Sequence, residues 1–260
     1  MWRLCLGLVL ASCAGGSGPV PDTGAPTDTD SPDTGSTDTG DTGDTDTGDT
    51  DSGGDTGPAL PLGGFGTIEG SCGRLDESLD TSAPSLLRVG IDFGTKVWSP
   101  DALTADGQEV IADGNLGGSS LESEAIAMEV LARCELASLI ATEAEILYID
   151  AGGKKTDLLV DAWDTSVGVS VTRAFHFPPE DPYTLAEAQD LLNAKLGDVL
   201  LSSANADPSN AWTRSMLTVV AWDAQYADMV VQAWEGLDAS TRSSTVVFLV
   251  ETHGEDAFIY

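Results

Sequence analysis

The chain has 260 residues, with 43 Asp and Glu against 11 Lys and Arg and a formal net charge of -32. A protein that holds DNA or RNA by neutralising phosphates needs a cationic face, so this charge argues against a nucleic-acid-binding protein of that class. The acidic residues are unevenly distributed, and residues 59 to 260 alone carry a net charge of -22. That part of the chain holds most of the apolar side chains, which predicts a single globular domain over 59–260.

The first thirteen residues have the organisation of an export signal. Met1-Trp2-Arg3 is a short cationic start, and the apolar run from Leu4 to Ala11 is too short to cross a bilayer. The run ends in Leu10-Ala11-Ser12-Cys13, which resembles the lipobox of bacterial lipoproteins. The resemblance implies a signal peptide over residues 1–12 and a mature chain that begins at Cys13, whose acyl chains, palmitate among them, anchor it to a membrane. An ordinary secretory signal is the alternative.

Position 14 also bears on where the protein is held. It is Ala, whereas Asp at this position marks retention in the inner membrane in lipoproteins. The resemblance therefore implies a lipid-anchored protein of the bacterial cell envelope, in the outer membrane or at the cell surface.

The segment that follows the lipidation site predicts a disordered linker over 13–58. Residues 22 to 57 contain 11 Asp, 11 Thr and 8 Gly, and they include no Lys, Arg or aromatic side chain. A stretch of low hydrophobicity with one sign of charge cannot offset the entropy lost on ordering. We expect it to act as a tether that holds the domain away from the lipid surface.

Two cysteines remain for the exported domain. Cys5 leaves with the signal and Cys13 carries lipid, which leaves Cys72 and Cys134. Two leftover cysteines usually pair in an oxidising compartment, so the sequence favours a disulfide between them. Two buried free thiols are the alternative.

The first predicted element of the domain is a helix. Ser119-Ser120-Leu121-Glu122 is a capping-box pattern, and apolar residues then recur at helical spacing to about Ile140. Glu129 and Arg133 are spaced i,i+4, which predicts an exposed ion pair on the helix surface.

Further elements follow in an order that predicts an α/β fold, α-β-β-β-α-β-α-β. The short connections between the first three strands indicate an antiparallel meander. The predicted strands cover 145–150, 156–162, 167–172, 216–222 and 245–251, and the two later helices cover 184–200 and 223–236.

This order resembles the restriction-endonuclease-like, or PD-(D/E)xK, fold, so we expect a mixed sheet with an αβββαβ core flanked by helices. In that family a Glu on the first helix, an Asp entering the second strand and Glu-x-Lys on the third strand bind a divalent metal and activate water for phosphodiester cleavage. Asp157 stands where the family has its Asp, whereas Ser170 and Thr172 stand where it has Glu and Lys. The resemblance implies a nuclease-like pocket with an incomplete set of metal-binding residues.

Two more residues complete the candidate site. Helix geometry places Glu124 and Glu135 on one side of the first helix among apolar residues, which makes Glu124 the candidate for a pocket-facing carboxylate. Lys195, on the second helix, could replace the missing strand lysine. The catalytic candidates are therefore Glu124, Asp157 and Lys195, with Asp157 and Glu124 as ligands of Mg²⁺ or Mn²⁺. Their alternative role is that of solvated surface charges.

The missing Glu and Lys favour a non-catalytic binding or structural module that needs no cofactor. Its expected partners are the membrane, through the N-terminal lipid, and a protein or small molecule, but not nucleic acid. The alternative is an exported metal-dependent nuclease or phosphodiesterase that uses Mg²⁺ or Mn²⁺. The strings Gly-Gly-Ser-Ser at 117–120 and Ser-Val-Thr-Arg-Ala at 170–174 also resemble a group of secreted microbial proteins, and that resemblance implies no activity.

Overall fold

The computed structural model describes residues 65–94, 98–116, 120–178 and 181–259. The predicted signal peptide over 1–12, the lipidation site Cys13 and the linker over 13–58 lie outside the described residues.

A seven-stranded mixed sheet forms the centre of the structure. Its strands are β1 (Thr67–Gly70), β2 (Ser85–Asp92), β3 (Ser138–Thr142), β4 (Leu158–Ala162), β5 (Thr165–Ala174), β6 (Arg214–Ala221) and β7 (Val246–Glu251). They lie in the order β1-β2-β7-β6-β5-β4-β3. The four central strands β2, β7, β6 and β5 run parallel. At one edge β1 pairs antiparallel with β2. At the other edge an antiparallel meander is formed by β3, β4 and β5.

Helices cover both faces of this sheet. They are α1 (Leu75–Leu79), α2 (Ala105–Asp113), α3 (Leu121–Glu135), α4 (Leu185–Asn205), α5 (Ala224–Gly236) and α6 (Ala239–Arg242). Among the residues that the structure describes, no helix combines the length and the apolar character that crossing a membrane requires.

Side-chain alternation along the central strands produces two large hydrophobic cores, and a third, small cluster contains Ala141, Ile146 and Leu159. On β6, Met216 and Val220 pack with α2 and α3, whereas Leu217 and Val219 pack with α4 and α5. This is the two-residue period of a strand that is buried on both faces. The predicted α/β class, with α3, β3, β4, β5, α4 and β6 in αβββαβ order inside a mixed sheet flanked by helices, is confirmed.

The predicted end of the first helix and the predicted strand over 145–150 are both wrong. The first helix ends at Glu135 and not near residue 140, because Leu136 adopts a left-handed conformation with φ 56°. The first strand is Ser138–Thr142, not 145–150, because pairing with β4 takes these residues out of the helical pattern. Residues 145–150 lie in the connection to β4 and form only an isolated bridge, from Tyr148 to Ala206.

The structure also contains elements that the sequence did not predict. β1, α1, β2 and α2 precede the first predicted helix, and β2 takes a place inside the sheet beside β7.

The amino-terminal part of the domain is fastened to the end of α3. Cys72 and Cys134 form a disulfide with an S–S distance of 2.08 Å, the pairing that the sequence favoured. The Glu135 carboxylate accepts hydrogen bonds from the backbone N–H groups of Gly73 (3.1 Å) and Leu75 (3.0 Å), at the start of α1. Burial raises the pKa of Glu135. The end of α3 therefore holds the segment that leads into α1 by a disulfide, and the start of α1 by a hydrogen bond.

The predicted exposed ion pair is wrong, because Glu129 and Arg133 are buried between α3 and the segment before α2. Glu129 Oε2 lies 2.6 Å from Arg133 Nε. The other Glu129 oxygen accepts hydrogen bonds from the backbone N–H and the hydroxyl of Thr104, and Arg133 donates to the Ala102 carbonyl at 3.1 Å. A Cβ added at Gly107 would lie 2.5 Å from Glu129 Oε1, so glycine lets α2 approach this close.

Candidate functional site

The site lies where β4 is too short to cover β5. Leu158, the first residue of β4, pairs with Val169, so residues 170–174 of β5 extend beyond the paired region. Asp157 fills the first part of this gap. Its backbone N–H donates to the Val169 carbonyl at 3.1 Å, and its Oδ2 accepts from the Val171 N–H at 2.6 Å. The Asp157 carboxylate thus accepts the hydrogen bond that a backbone carbonyl of a neighbouring strand would accept.

A cavity of about 490 Å³ opens over this end of β5. It is lined by residues from α3, from the connection between β3 and β4, from β5 and from α4. Four of its side chains are cationic, namely Lys154, Lys155, Arg173 and Lys195. Three of the four lysines of the chain therefore line one cavity.

The cations differ in how far they are already paired. Lys154 Nζ lies 2.9 Å from Asp198 Oδ2. The Lys155 ammonium lies 5.7 Å from the centre of the Tyr148 ring. Arg173 donates a hydrogen bond to the Ile259 carbonyl. Lys195 is half-buried and makes no hydrogen bond or ion pair with any other residue that the structure describes.

Asp157 and Glu124 are electrostatically coupled. Burial, together with the nearby Glu124 charge, raises the pKa of Asp157 to about 7, while the Lys195 charge opposes the shift. Glu124 is 2% exposed and its Oε1 accepts a hydrogen bond from the Ser120 hydroxyl at 2.7 Å. Burial raises the pKa of Glu124 as well. The structure thus places Asp157 and Lys195 on one cavity, with Glu124 close enough to influence Asp157.

The two β5 positions that match the Glu and Lys of the nuclease motif carry hydroxyls in the same cavity. Ser170 and Thr172 line it, on the opposite strand face from Val169 and Val171, which pack in the core beside α3. Ser170 Oγ lies 3.2 Å from the Thr156 hydroxyl. Lys195 comes to the cavity from α4, so a cation is present although the strand position lacks one.

The amino end of α3 contributes two residues that the sequence analysis did not select. Ser120 is the N-cap residue and Ser123 lies in the first turn, and both line the cavity. The predicted capping box begins at Ser119, which lies outside the described residues; the N-cap of α3 is Ser120, and its side chain bonds to Glu124 and not to a backbone N–H. Ser123 is 1% exposed, and its hydroxyl has no hydrogen-bond partner among the described residues. A local sequence pattern cannot reveal such an unsatisfied hydroxyl.

A group of acidic side chains outside the cavity has a structural explanation. Ligand atoms of the exposed residues Glu109, Asp113 and Glu145 lie within 4.8 Å of one another. Asp113 accepts a hydrogen bond from the Thr142 hydroxyl at 2.8 Å, and Glu145 accepts one from the Thr142 N–H at 3.1 Å. These contacts tie α2 and the β3 turn together without a ligand.

Comparisons with known proteins give little guidance. No family model matches the chain, and no solved structure matches it significantly. A curated protein of Dictyostelium discoideum, the AAC-rich mRNA clone AAC4 protein, is 34% identical over 153 residues, which covers 56% of this chain. The match spans about a fifth of that relative, 22% of its length, and its name states no activity.

Proposed function

We propose that the chain is an exported, lipid-anchored cell-envelope protein whose α/β domain binds a small anionic molecule in the cavity at the end of β5, without converting it chemically. The observation that carries this proposal is the clustering of Lys154, Lys155, Arg173 and Lys195 on one cavity. The surrounding domain has a net charge of -22, so a chance concentration of cations would be unusual.

Lys195 supports an anionic ligand most directly. A half-buried ammonium loses hydration, and an opposite charge or a hydrogen-bond acceptor normally compensates that loss. No described residue supplies a hydrogen bond or an ion pair to Lys195. The Asp157 charge interacts with Lys195 only at a distance, so a bound anion would supply the hydrogen-bond acceptor and a closer opposite charge.

The β5 positions favour binding over catalysis. Ser170 and Thr172 provide neither the third carboxylate nor the strand lysine of the nuclease motif. Their hydroxyls can still donate hydrogen bonds to a ligand. A cavity that has cations and hydroxyls, and fewer carboxylates than the nuclease motif requires for a metal, is suited to bind an anion.

Calorimetric titration of the purified full chain tests the binding proposal. Phenyl phosphate and phthalate serve as probes, because each is a small aromatic dianion. We expect the chain to bind at least one of them and Lys195→Met to weaken that binding at least tenfold. Arg74→Gln is the control, since Arg74 is an exposed cation outside the cavity. Absence of binding to both probes would overturn the proposal.

Membrane attachment is tested separately at Cys13. The disulfide between Cys72 and Cys134 supports an oxidising compartment and hence export. We expect the wild-type chain to fractionate with bacterial membranes and Cys13→Ser to lose that association. Equal membrane fractions for both chains would refute the lipid anchor.

A metal-dependent phosphodiesterase is the second candidate, and the coupling of Glu124 with Asp157 favours it. Mg²⁺ commonly binds one or two protein carboxylates together with substrate phosphate, so these two residues would hold it. The metal would supply Lewis-acid activation of the phosphate. Incubation of the full chain with DNA and RNA plus Mg²⁺ or Mn²⁺ tests this function. Cleavage that Asp157→Ala abolishes and Asp101→Ala preserves would replace the binding proposal.

A further inference from the structure

The start of α3 borders the cavity, where Ser120 and Ser123 line it. In any helix the N–H groups of the first turn lack acceptors within the helix, and the helix dipole places positive potential there. α3 has 15 residues, and its N-cap residue Ser120 provides no side-chain cap. The Ser120 hydroxyl donates to Glu124 instead, at 2.7 Å. The missing side-chain cap leaves the start of α3 able to receive an anion, although Glu122 and Glu124 already place carboxylates in this turn.

Ser123 is an independent indication of a ligand at this place. It is 1% exposed, it lines the cavity, and its hydroxyl has no partner among the residues described. A buried hydroxyl without a hydrogen bond is destabilising, and most buried polar groups in folded proteins are paired. A ligand oxygen in the cavity would accept this hydrogen bond.

Lys195 approaches the same cavity from the opposite layer of the structure. α3 packs on one face of the sheet and α4 on the other, yet both reach the open end of β5. Donors that arrive from a helix terminus, a hydroxyl and an ammonium suit an anion whose oxygens point in several directions. A tetrahedral phosphoryl group has three such oxygens, whereas a planar carboxylate has two.

We propose that the anionic group bound in this cavity is a phosphoryl group, held by the first turn of α3, the Ser123 hydroxyl and Lys195, and that the ligand is a small organic phosphate. The inference rests on the proposed binding function and names the chemical class of its ligand. The cavity volume of about 490 Å³ is in the range of sites for small organic molecules, and the Phe175 side chain lines it, so there is room for an organic group beside the phosphate.

The neighbouring carboxylates are compatible with this ligand near neutral pH. Burial raises the pKa of Asp157 to about 7 and also raises that of Glu124, which reduces the negative charge near the phosphate. Asp198 also lines the cavity, but its carboxylate is paired with Lys154.

The test compares two serines that differ in their position relative to the cavity. Ser123→Ala removes the unpaired hydroxyl in the cavity, and Ser85→Ala removes another unpaired buried hydroxyl, on β2 outside it. Neither change leaves a former partner unsatisfied, so we expect both full-length variants to fold, as their melting temperatures will show. Titration calorimetry with phenyl phosphate and with the charge-matched dicarboxylate phthalate provides the dissociation constants.

We expect the wild-type chain to bind phenyl phosphate at least tenfold more tightly than phthalate. Ser123→Ala should weaken phenyl phosphate binding about tenfold, the effect of one hydrogen bond to a charged group, and phthalate binding less than about twofold. Ser85→Ala should change neither constant.

Two other results would overturn the inference in different ways. If the wild-type chain binds a dianion but Ser123→Ala leaves phenyl phosphate binding unchanged, or weakens both ligands equally, the phosphoryl site is wrong and the anion-binding function stands. If the wild-type chain binds neither dianion, the anion-binding function fails and the phosphoryl site fails with it.

Discussion

The two helical layers of this protein achieve burial by different means. The buried residues of α4, which pack against the sheet, include Leu192 and Leu196, and none of them is charged. α3 buries four charged side chains, and each has a defined hydrogen-bonding partner. They are Glu124, Glu129, Arg133 and Glu135.

The difference shows how short elements are positioned. Glu135 accepts a hydrogen bond from the start of α1, and Glu129 accepts one from Thr104, just before α2. These buried charges therefore fix where the two short segments contact α3. Apolar contacts on the α4 side are less directional and place long elements by shape. Both helical layers contribute to the candidate site, because the cavity is lined by hydroxyls at the start of α3 and by Lys195 from α4.

The largest expected effect is on the α3 side. Arg133→Ala should lower the free energy of unfolding by about 3 to 5 kcal/mol, because it leaves Glu129 buried without its cation. Urea denaturation measures the change. The exposed pair of Arg74 with Glu77 provides the control, and Glu77→Ala should cost no more than about 1 kcal/mol.

A paired replacement sharpens this prediction. Glu129→Met combined with Arg133→Met should recover most of the lost stability, since a buried ion pair and apolar side chains of similar volume are often equivalent. A double variant as unstable as Arg133→Ala would show that the hydrogen bonds to Thr104 and Ala102 contribute more than the charge pairing does.

A smaller effect is expected on the α4 side. Leu192→Ala should cost about 2 to 4 kcal/mol, because it removes a fully buried side chain and leaves a cavity. Leu200→Ala on the same helix should stay within about 0.5 kcal/mol of the wild type, since Leu200 is 41% exposed. Equal losses at both positions would contradict the assignment of an apolar inner face to α4.

The smallest effect has the opposite sign and depends on pH. The pKa of Asp157 is raised from 3.8 to about 7 in the folded chain, so the folded state binds this proton more tightly than the unfolded state does. Stability from this group is therefore fully present below about pH 4 and declines as the pH rises to about 7. Asp157→Asn should stabilise the protein by about 1 to 3 kcal/mol at pH 8 and have little effect at pH 4.

Urea denaturation at both pH values checks this dependence, with Asp101→Asn as an exposed control. If Asp157→Asn destabilised the protein at pH 8, the hydrogen bond from the Val171 N–H would depend on the full charge of the carboxylate.

The predictable part of the fold is the part with local signals. The α4 capping box of Thr184 and Glu187 and the Asp223 cap of α5 both mark helix starts in the sequence. β2 was not predicted, and its place in the sheet depends on pairing with β7, about 160 residues later in the chain. The end of α3 was missed for a related reason, since Leu136 adopts a left-handed conformation without the glycine that usually announces it.

The candidate site divides in the same way. Asp157 and Lys195 were selected from motif position and element order, and the structure places both on one cavity. Ser123 was missed because its importance comes from burial without a partner, which depends on the whole fold. The clustering of three lysines was equally hidden, although the adjacent Lys154 and Lys155 were visible in the sequence.

Because β5 extends beyond β4, the size of the cavity depends little on the packing of the two large hydrophobic cores. Residues 170–173 of β5, which β4 leaves unpaired, line the cavity on one side, and the irregular connection over 143–157, which carries Lys154 and Lys155, lines it on another. Surface connections tolerate insertions and deletions far better than packed strands do. The same scaffold could therefore accommodate differently sized ligands through changes in one loop, while both hydrophobic layers and the disulfide remain as they are.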